Sequence, residues 1–155
     1  MWVPKSVKDP ILLHHPTRKS IACFGAVRIS DGKLVTMRTE DSFNAQTVWE
    51  FLKLLRQETK QAGRKVVVII DNAKQHHAIA HKAWRQEQAP DFVLEYLPPY
   101  SPQLNPIERV WKAIRAIRLH NRYFPTLAVL TKAVDEQFME WAKPNETLRR
   151  LCAIT

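Results

Sequence analysis

Two acidic residues sit where the chain changes direction. Asp71 follows the β-branched run Val66-Val67-Val68-Ile69-Ile70, and Glu108 follows Asn105-Pro106-Ile107. Carboxylates that converge in this way can hold two divalent cations about 4 Å apart, the arrangement used for phosphoryl transfer. Magnesium takes oxygen ligands and is typically held by one or two carboxylates plus substrate phosphates. Each residue also has a plainer reading. Asp71-Asn72 is a common way to leave a strand through a side-chain-made turn. Asn105, Pro106 and Glu108 fit the N-cap, N1 and N3 positions of a capping box. At Glu108 the two roles are compatible.

The elements that must position this pair are legible. Residues 21–29 and 33–39 read as strands, with Asp31-Gly32 as a tight turn between them. Residues 44–60 read as a helix with Val48, Phe51, Leu52 and Leu55 on one stripe, Asn44 as N-cap and Gly63 as stop. The run 66–70 has no polar face and reads as a strand covered on both sides. Its carboxyl end is where open α/β sheets bind ligands. A helix is expected at 75–87 and a strand at 91–96. Prolines 98, 99 and 102 force a loop through 97–106. A helix from Pro106 carries Ile107, Val110, Trp111, Ile114 and Ile117 inward. Another over 126–142 carries Leu127, Leu130, Val134, Phe138 and Trp141 inward, and a short helical tail follows from Asn145. This order implies an α/β fold, a mixed sheet with helices on its faces.

Composition narrows the partner. The 155 residues make one domain, with a net charge of +9 and a pI near 9.8. That excess suggests a polyanionic partner such as nucleic acid, whose condensed counterions Lys and Arg displace, while a merely basic soluble protein is the plainer reading. Two cysteines without paired spacing indicate neither a disulfide framework nor a thiolate metal site, which fits a reducing cytoplasm. The start, MWVPKSVKDP, has no apolar signal core, and no apolar run approaches a membrane span.

The segments VVVIIDNAKQHHA and LEYLPPYSPQLNPIERVWKAIR resemble the DDE transposases of bacterial insertion sequences and their mariner-type relatives. Asp71, Asn72 and His76 match the family's second acidic element, and Pro99 through Trp111 match its proline-rich third element. The second of these is long and chemically unusual, so it is specific. Trp2-Val3-Pro4-Lys5 and Phe24-Gly25-Ala26-Val27 also look like family segments. The resemblance implies a ribonuclease-H-like fold and cleavage and joining of DNA at transposon ends. It implies two magnesium or manganese ions, with Asp71 and Glu108 as catalytic metal ligands. Asn72, His76 and Asn105 are the expected supporting residues. Arg109, Lys112, Arg115 and Arg118 form a basic flank along the Glu108 helix, and Arg109, Lys112 and Arg115 are the expected DNA contacts. A solvated basic face is the plainer reading of that flank.

One part of the family pattern is missing. The first family Asp lies upstream of the segment that Trp2-Val3-Pro4-Lys5 resembles, on a central strand between the hairpin and the 66–70 strand. The expectation is therefore a single catalytic domain over 1–155, incomplete at its amino terminus. It lacks that strand and the helix-turn-helix region, and is inactive without the missing Asp. A split or frameshifted enzyme completed by an upstream segment, a homo-oligomer and a decayed remnant all remain open. So do a non-catalytic basic DNA-binding protein and another ribonuclease-H-like nuclease. Asp31, Glu40 and Asp41 are poor substitutes for the absent Asp. Asp31 belongs to the far end of the sheet, and the other two lie three strand positions away, roughly 14 Å. His77 and His81 have zinc-compatible i, i+4 spacing but no third ligand nearby. Trp49, Trp84, Trp111 and Trp141 read as core, and His14-His15 as an ordinary loop pair.

Overall fold

Two separate two-stranded sheets replace the single expected sheet. The computed structural model describes residues 21–40 and 42–153; Trp2 through Lys5, His14, His15 and Asp41 lie outside them. Strands β1 (Ala22–Val27) and β2 (Leu34–Thr39) pair antiparallel, with Val27 opposite Leu34. Strands β3 (Val66–Ile70) and β4 (Phe92–Tyr96) pair parallel, with Val66 opposite Phe92. Among the described residues, β1 and β3 each have one edge without a strand partner.

The hairpin turn is longer than the sequence implies, because it also serves as a dock. Gly32 takes φ 75°, as the Asp-Gly signal requires. The Asp31 carboxylate accepts from Lys33 N–H at 3.1 Å and from Arg28 Nε at 2.8 Å, and this Arg28 contact holds its carboxyl below the usual range. Asn145 donates its backbone N–H to Asp31 O at 2.8 Å and its Nδ2 to Gly32 O at 3.0 Å. A Cβ on Gly32 would collide with Asn145 O, so the turn is locked against the start of the last helix.

Helix α1 (Ala45–Thr59) starts where the sequence places it. Asn44 Oδ1 accepts from the N–H groups of Gln46 and Thr47, and Val48, Phe51, Leu52 and Leu55 are buried. Gly63, at φ 70°, belongs to a separate turn beyond the Lys60 C-cap. The helix expected at 75–87 is a correction. Two 3₁₀ turns, Lys74–His77 and Ile79–His81, precede a short α2 (Lys82–Gln88). Ala78 is extended at ψ 140°, and the rings of His76 and His81 bind backbone carbonyls of Asp71 and Gln75, competing with a continuous helical ladder.

Helix α3 (Pro106–Ile114) passes into a π-helical turn, Arg115–Leu119. The wider turn shifts the side-chain phase, so Ile117 is 46% exposed and not inward. Val110 and Ile114 are buried as expected. Helix α4 (Leu127–Trp141) buries Val134, Phe138 and Trp141, and α5 (Glu146–Leu151) closes the chain with Asn145 as N-cap. Trp111 packs edge-on against Phe138 and touches β1 so closely that a Cβ on Gly25 would lie 2.5 Å from its indole. Gly25→Val is therefore expected to cost about 1–3 kcal/mol through overpacking. Urea denaturation measures this; an unchanged midpoint would mean the indole moves aside freely.

His81 makes the core sensitive to acid. Its ring is fully buried, Nε2–H donates to Gln75 O at 3.1 Å, and Nδ1 has no partner among the described residues. Burial first, then the charges of Arg85 and His76, hold its pKa below the ordinary 6.5. The unfolded chain thus takes up the proton more readily, and stability falls as pH drops through about 6.5. His81→Gln keeps a donor for Gln75 O and removes the titration. Thermal melts between pH 7.5 and 5 should show a shallower acid loss in that variant; equal slopes would clear His81.

Candidate active site

Asp71 leaves the carboxyl end of β3, and Glu108 stands in the first turn of α3. Both line one cleft of about 560 Å³, together with Asn72, Lys74, Tyr100 and Asn105. The cleft joins two features visible in the sequence: the end of the valine-isoleucine strand and the proline-rich loop that feeds α3. Asp71 acts as turn residue and cleft residue at once. Its Oδ1 accepts from Ala73 N–H at 3.1 Å and lies 2.8 Å from His76 Nδ1, which also reaches Asp71 O at 3.0 Å. Two acceptors on Nδ1 place the proton there. Oδ2 makes no such bond among the described residues.

Glu108 is freer still. Asn105 Oδ1 accepts from Ile107 N–H at 3.3 Å, an N-cap bond to the second helical residue where the expected capping box uses the third. The reciprocal bond to Glu108 is absent, because Asn105 N–H already donates to Pro102 O at 3.0 Å. The exposed Glu108 carboxylate therefore has no hydrogen bond or ion pair among the described residues. Two carboxylates, one with a free oxygen and one unengaged, make an all-oxygen donor set that fits a magnesium-type cation. No group of three or more His, Cys, Asp or Glu among the described residues is placed to hold a metal ion. Asp31 lines neither this cleft nor a second cavity beside it.

That second cavity, of about 550 Å³, opens between β1 and β3. Val48, Phe51, Leu52 and Leu55 of α1 line it, as do Ile107 and Trp111 of α3, and Asp71 and Glu108 border it as well. Val67 and Ile69 of β3 are 54% and 41% exposed, so this strand is not covered on both sides. No strand among the described residues lies in the slot.

A support the sequence reading missed stands behind Asp71. Tyr96 Oη donates to His76 O at 3.1 Å and accepts from Arg85 Nη1 at 2.7 Å. The His77 ring stacks on Tyr96 at 4.1 Å, and its Nε2 hydrogen-bonds Asn72 Oδ1. Tyr96 ends β4 beside Ile70, so only the parallel register brings it there. The basic flank divides. Arg109 Nη1 donates to Leu151 O and Ala153 O, both at 3.0 Å, at the end of α5. Arg118 Nε donates to Gln137 at 2.8 Å. Lys112 and Arg115 are exposed, with no ion-pair partner among the described residues.

A family model described as DDE superfamily endonuclease matches residues 1–131. The chain belongs to that family. Its relatives include the insertion element IS630 uncharacterized 39 kDa protein of Shigella sonnei, 30% identical over 103 residues, 65% of this chain and 29% of that protein. Another is the uncharacterized protein y4pE/y4sA of Sinorhizobium fredii, 41% identical over 63 residues, 40% of this chain and 42% of that protein. The chain thus spans less than half the length of these relatives. Among solved structures, the Mos1 mariner paired end complex with Mn matches with TM-score 0.65 at 20% identity, over 98% of this chain and 46% of that one. The catalytic domain of Mos1 mariner transposase matches with TM-score 0.63 at 22% identity, over 92% and 71%. The ribonuclease-H-like fold expected from the sequence is borne out, and DDE endonucleases use divalent metal ions. No helix among the described residues is long and apolar enough to cross a membrane.

Proposed function

We propose that this DDE endonuclease chain is the larger part of a transposase catalytic domain, cutting and joining DNA at transposon ends with two magnesium or manganese ions. The observation that carries this reading is the shared cleft of Asp71 and Glu108, with the Glu108 carboxylate unengaged by the fold. The ions, when bound, would promote in-line attack by water or a 3′-hydroxyl and stabilise the leaving oxygen. Asp71 presents Oδ2 while His76 and Ala73 N–H hold Oδ1, which fixes the carboxylate's direction. Glu108 faces it from the start of α3, set by the Asn105 cap and by Pro106. Asn72 is steadied by His77. Lys112 on α3 and Arg115 in the π-helical turn that follows meet phosphates, and Arg109 contributes what its bonds to the end of α5 leave free.

The slot between β1 and β3 receives a strand that carries the third carboxylate, supplied by an upstream transposase segment. Such a protein works on DNA in the cytoplasm, at the nucleoid. A specific observation favours a second reading: among the described residues no group of three or more His, Cys, Asp or Glu is placed to hold a metal ion, as expected of a DNA-binding remnant without catalysis. Nicking of supercoiled plasmid in magnesium, with the upstream segment supplied, separates the two. Nicking that stops on chelation supports the enzyme; DNA binding without nicking supports the remnant.

A further inference from the structure

Tyr100 stands out among the large side chains of the chain. It is 98% exposed, and its backbone sits at φ 57°, a region that bulky residues avoid. Only Asn121 shares that feature among the described non-glycine residues. Asn tolerates this region through its short polar side chain; tyrosine has no such compensation. The ring makes no stacking contact or hydrogen bond within the described fold, so folding gains nothing from it. Pro98, Pro99 and Pro102 stiffen the loop on both sides, and the Ser101 hydroxyl donates to Pro99 O at 3.3 Å. The strained residue is therefore held at the rim of the cleft that contains Asp71 and Glu108, with Lys74 on the same lining. Backbone strain that the surroundings maintain is a pointer to function.

The geometry points to Tyr100 as a binding residue for an unpaired nucleobase next to the phosphate that cations at Asp71 and Glu108 would engage. This inference rests on the proposed DNA-cleaving function and adds a substrate class: DNA whose terminal nucleotides are unstacked from the duplex. A flat exposed ring accepts any base on its face, and the Lys74 ammonium meets the adjoining phosphate. Stacking of one base on an aromatic side chain changes affinity by about ten-fold or more. The loop thus keeps a tyrosine in an unfavourable backbone state because the ring faces the substrate and not the core.

The test uses the full chain and a fluorescein-labelled duplex with a short single-stranded 3′ overhang, with calcium in place of magnesium so that no strand is cut. Anisotropy titration should show Tyr100→Ala binding about ten-fold more weakly, with Tyr100→Phe within about two-fold of wild type. A fully paired blunt duplex should show a much smaller difference between these proteins. Tyr100→Gly should lose affinity as the alanine variant does, while its thermal midpoint rises because glycine accepts the positive φ. Tyr100→Ala binding the overhang as tightly as wild type overturns the inference and leaves the cleavage reading standing. A wild-type chain that binds neither DNA overturns the proposed function and this inference with it.

Discussion

Asp71→Asn or Glu108→Gln is expected to lower metal-dependent strand cleavage by at least about 10³-fold in a protein supplied with the proposed upstream segment. Ligands to a catalytic cation act on transition-state charge worth several kcal/mol, and about 4 kcal/mol is three decades in rate. The structure also says why these variants should fold. The carboxamide introduced by Asp71→Asn would keep an oxygen for Ala73 N–H and His76 Nδ1, so the turn after β3 survives. The Glu108 carboxylate has no described partner to lose, so Glu108→Gln should change stability by less than about 0.5 kcal/mol. Plasmid nicking in magnesium reads the loss, and anisotropy in calcium should show DNA affinity little changed. Cleavage within ten-fold of wild type in either variant removes that residue from the metal site.

What the sequence made legible follows from which forces are local. The β3 run and Asp71 could be placed because five β-branched residues in a row have no other comfortable state, and a polar pair ends them. The start of α3 could be placed because Asn105 and Pro106 act within one turn. The capping box did not close because the Asn105 N–H found a partner in Pro102, three residues back, through a 3₁₀ turn that the prolines conceal. The helix at 75–87 failed where the rings of His76 and His81 turned to backbone carbonyls of Asp71 and Gln75. Tyr96 could not be found at all. An aromatic at a strand end reads as core, and its bond to His76 depends on the β3–β4 register, a long-range fact. Tyr100 was hidden for a different reason, since no residue pattern announces a tyrosine at positive φ. The basic flank of α3 looked uniform along the helix, yet Arg109 and Arg118 are drawn to α5 and α4 by packing that the sequence does not record.

The isolated chain is expected to self-associate, and the slot between β1 and β3 is the cause. Two strand edges there carry backbone donors and acceptors without strand partners among the described residues, beside apolar side chains of α1 and α3. Such edges are templates for another chain, and Val67 and Ile69 leave β3 apolar and open. Sedimentation velocity should therefore show mass rising with concentration. Val67→Lys with Ile69→Lys should suppress that rise, because charged edges refuse a neighbouring strand. A strand-forming upstream segment should suppress it too, and by occupying the slot it should also stabilise. Saturation a hundred-fold above its dissociation constant adds about 2.7 kcal/mol. For a domain of this size that is roughly 5–10 °C in the thermal midpoint. The lysine pair and the added strand separate the causes: both reduce association, but only the strand raises the midpoint. A chain that stays monomeric at every concentration, and melts at the same temperature with or without the segment, has no open slot to fill. The third carboxylate would then need another way in.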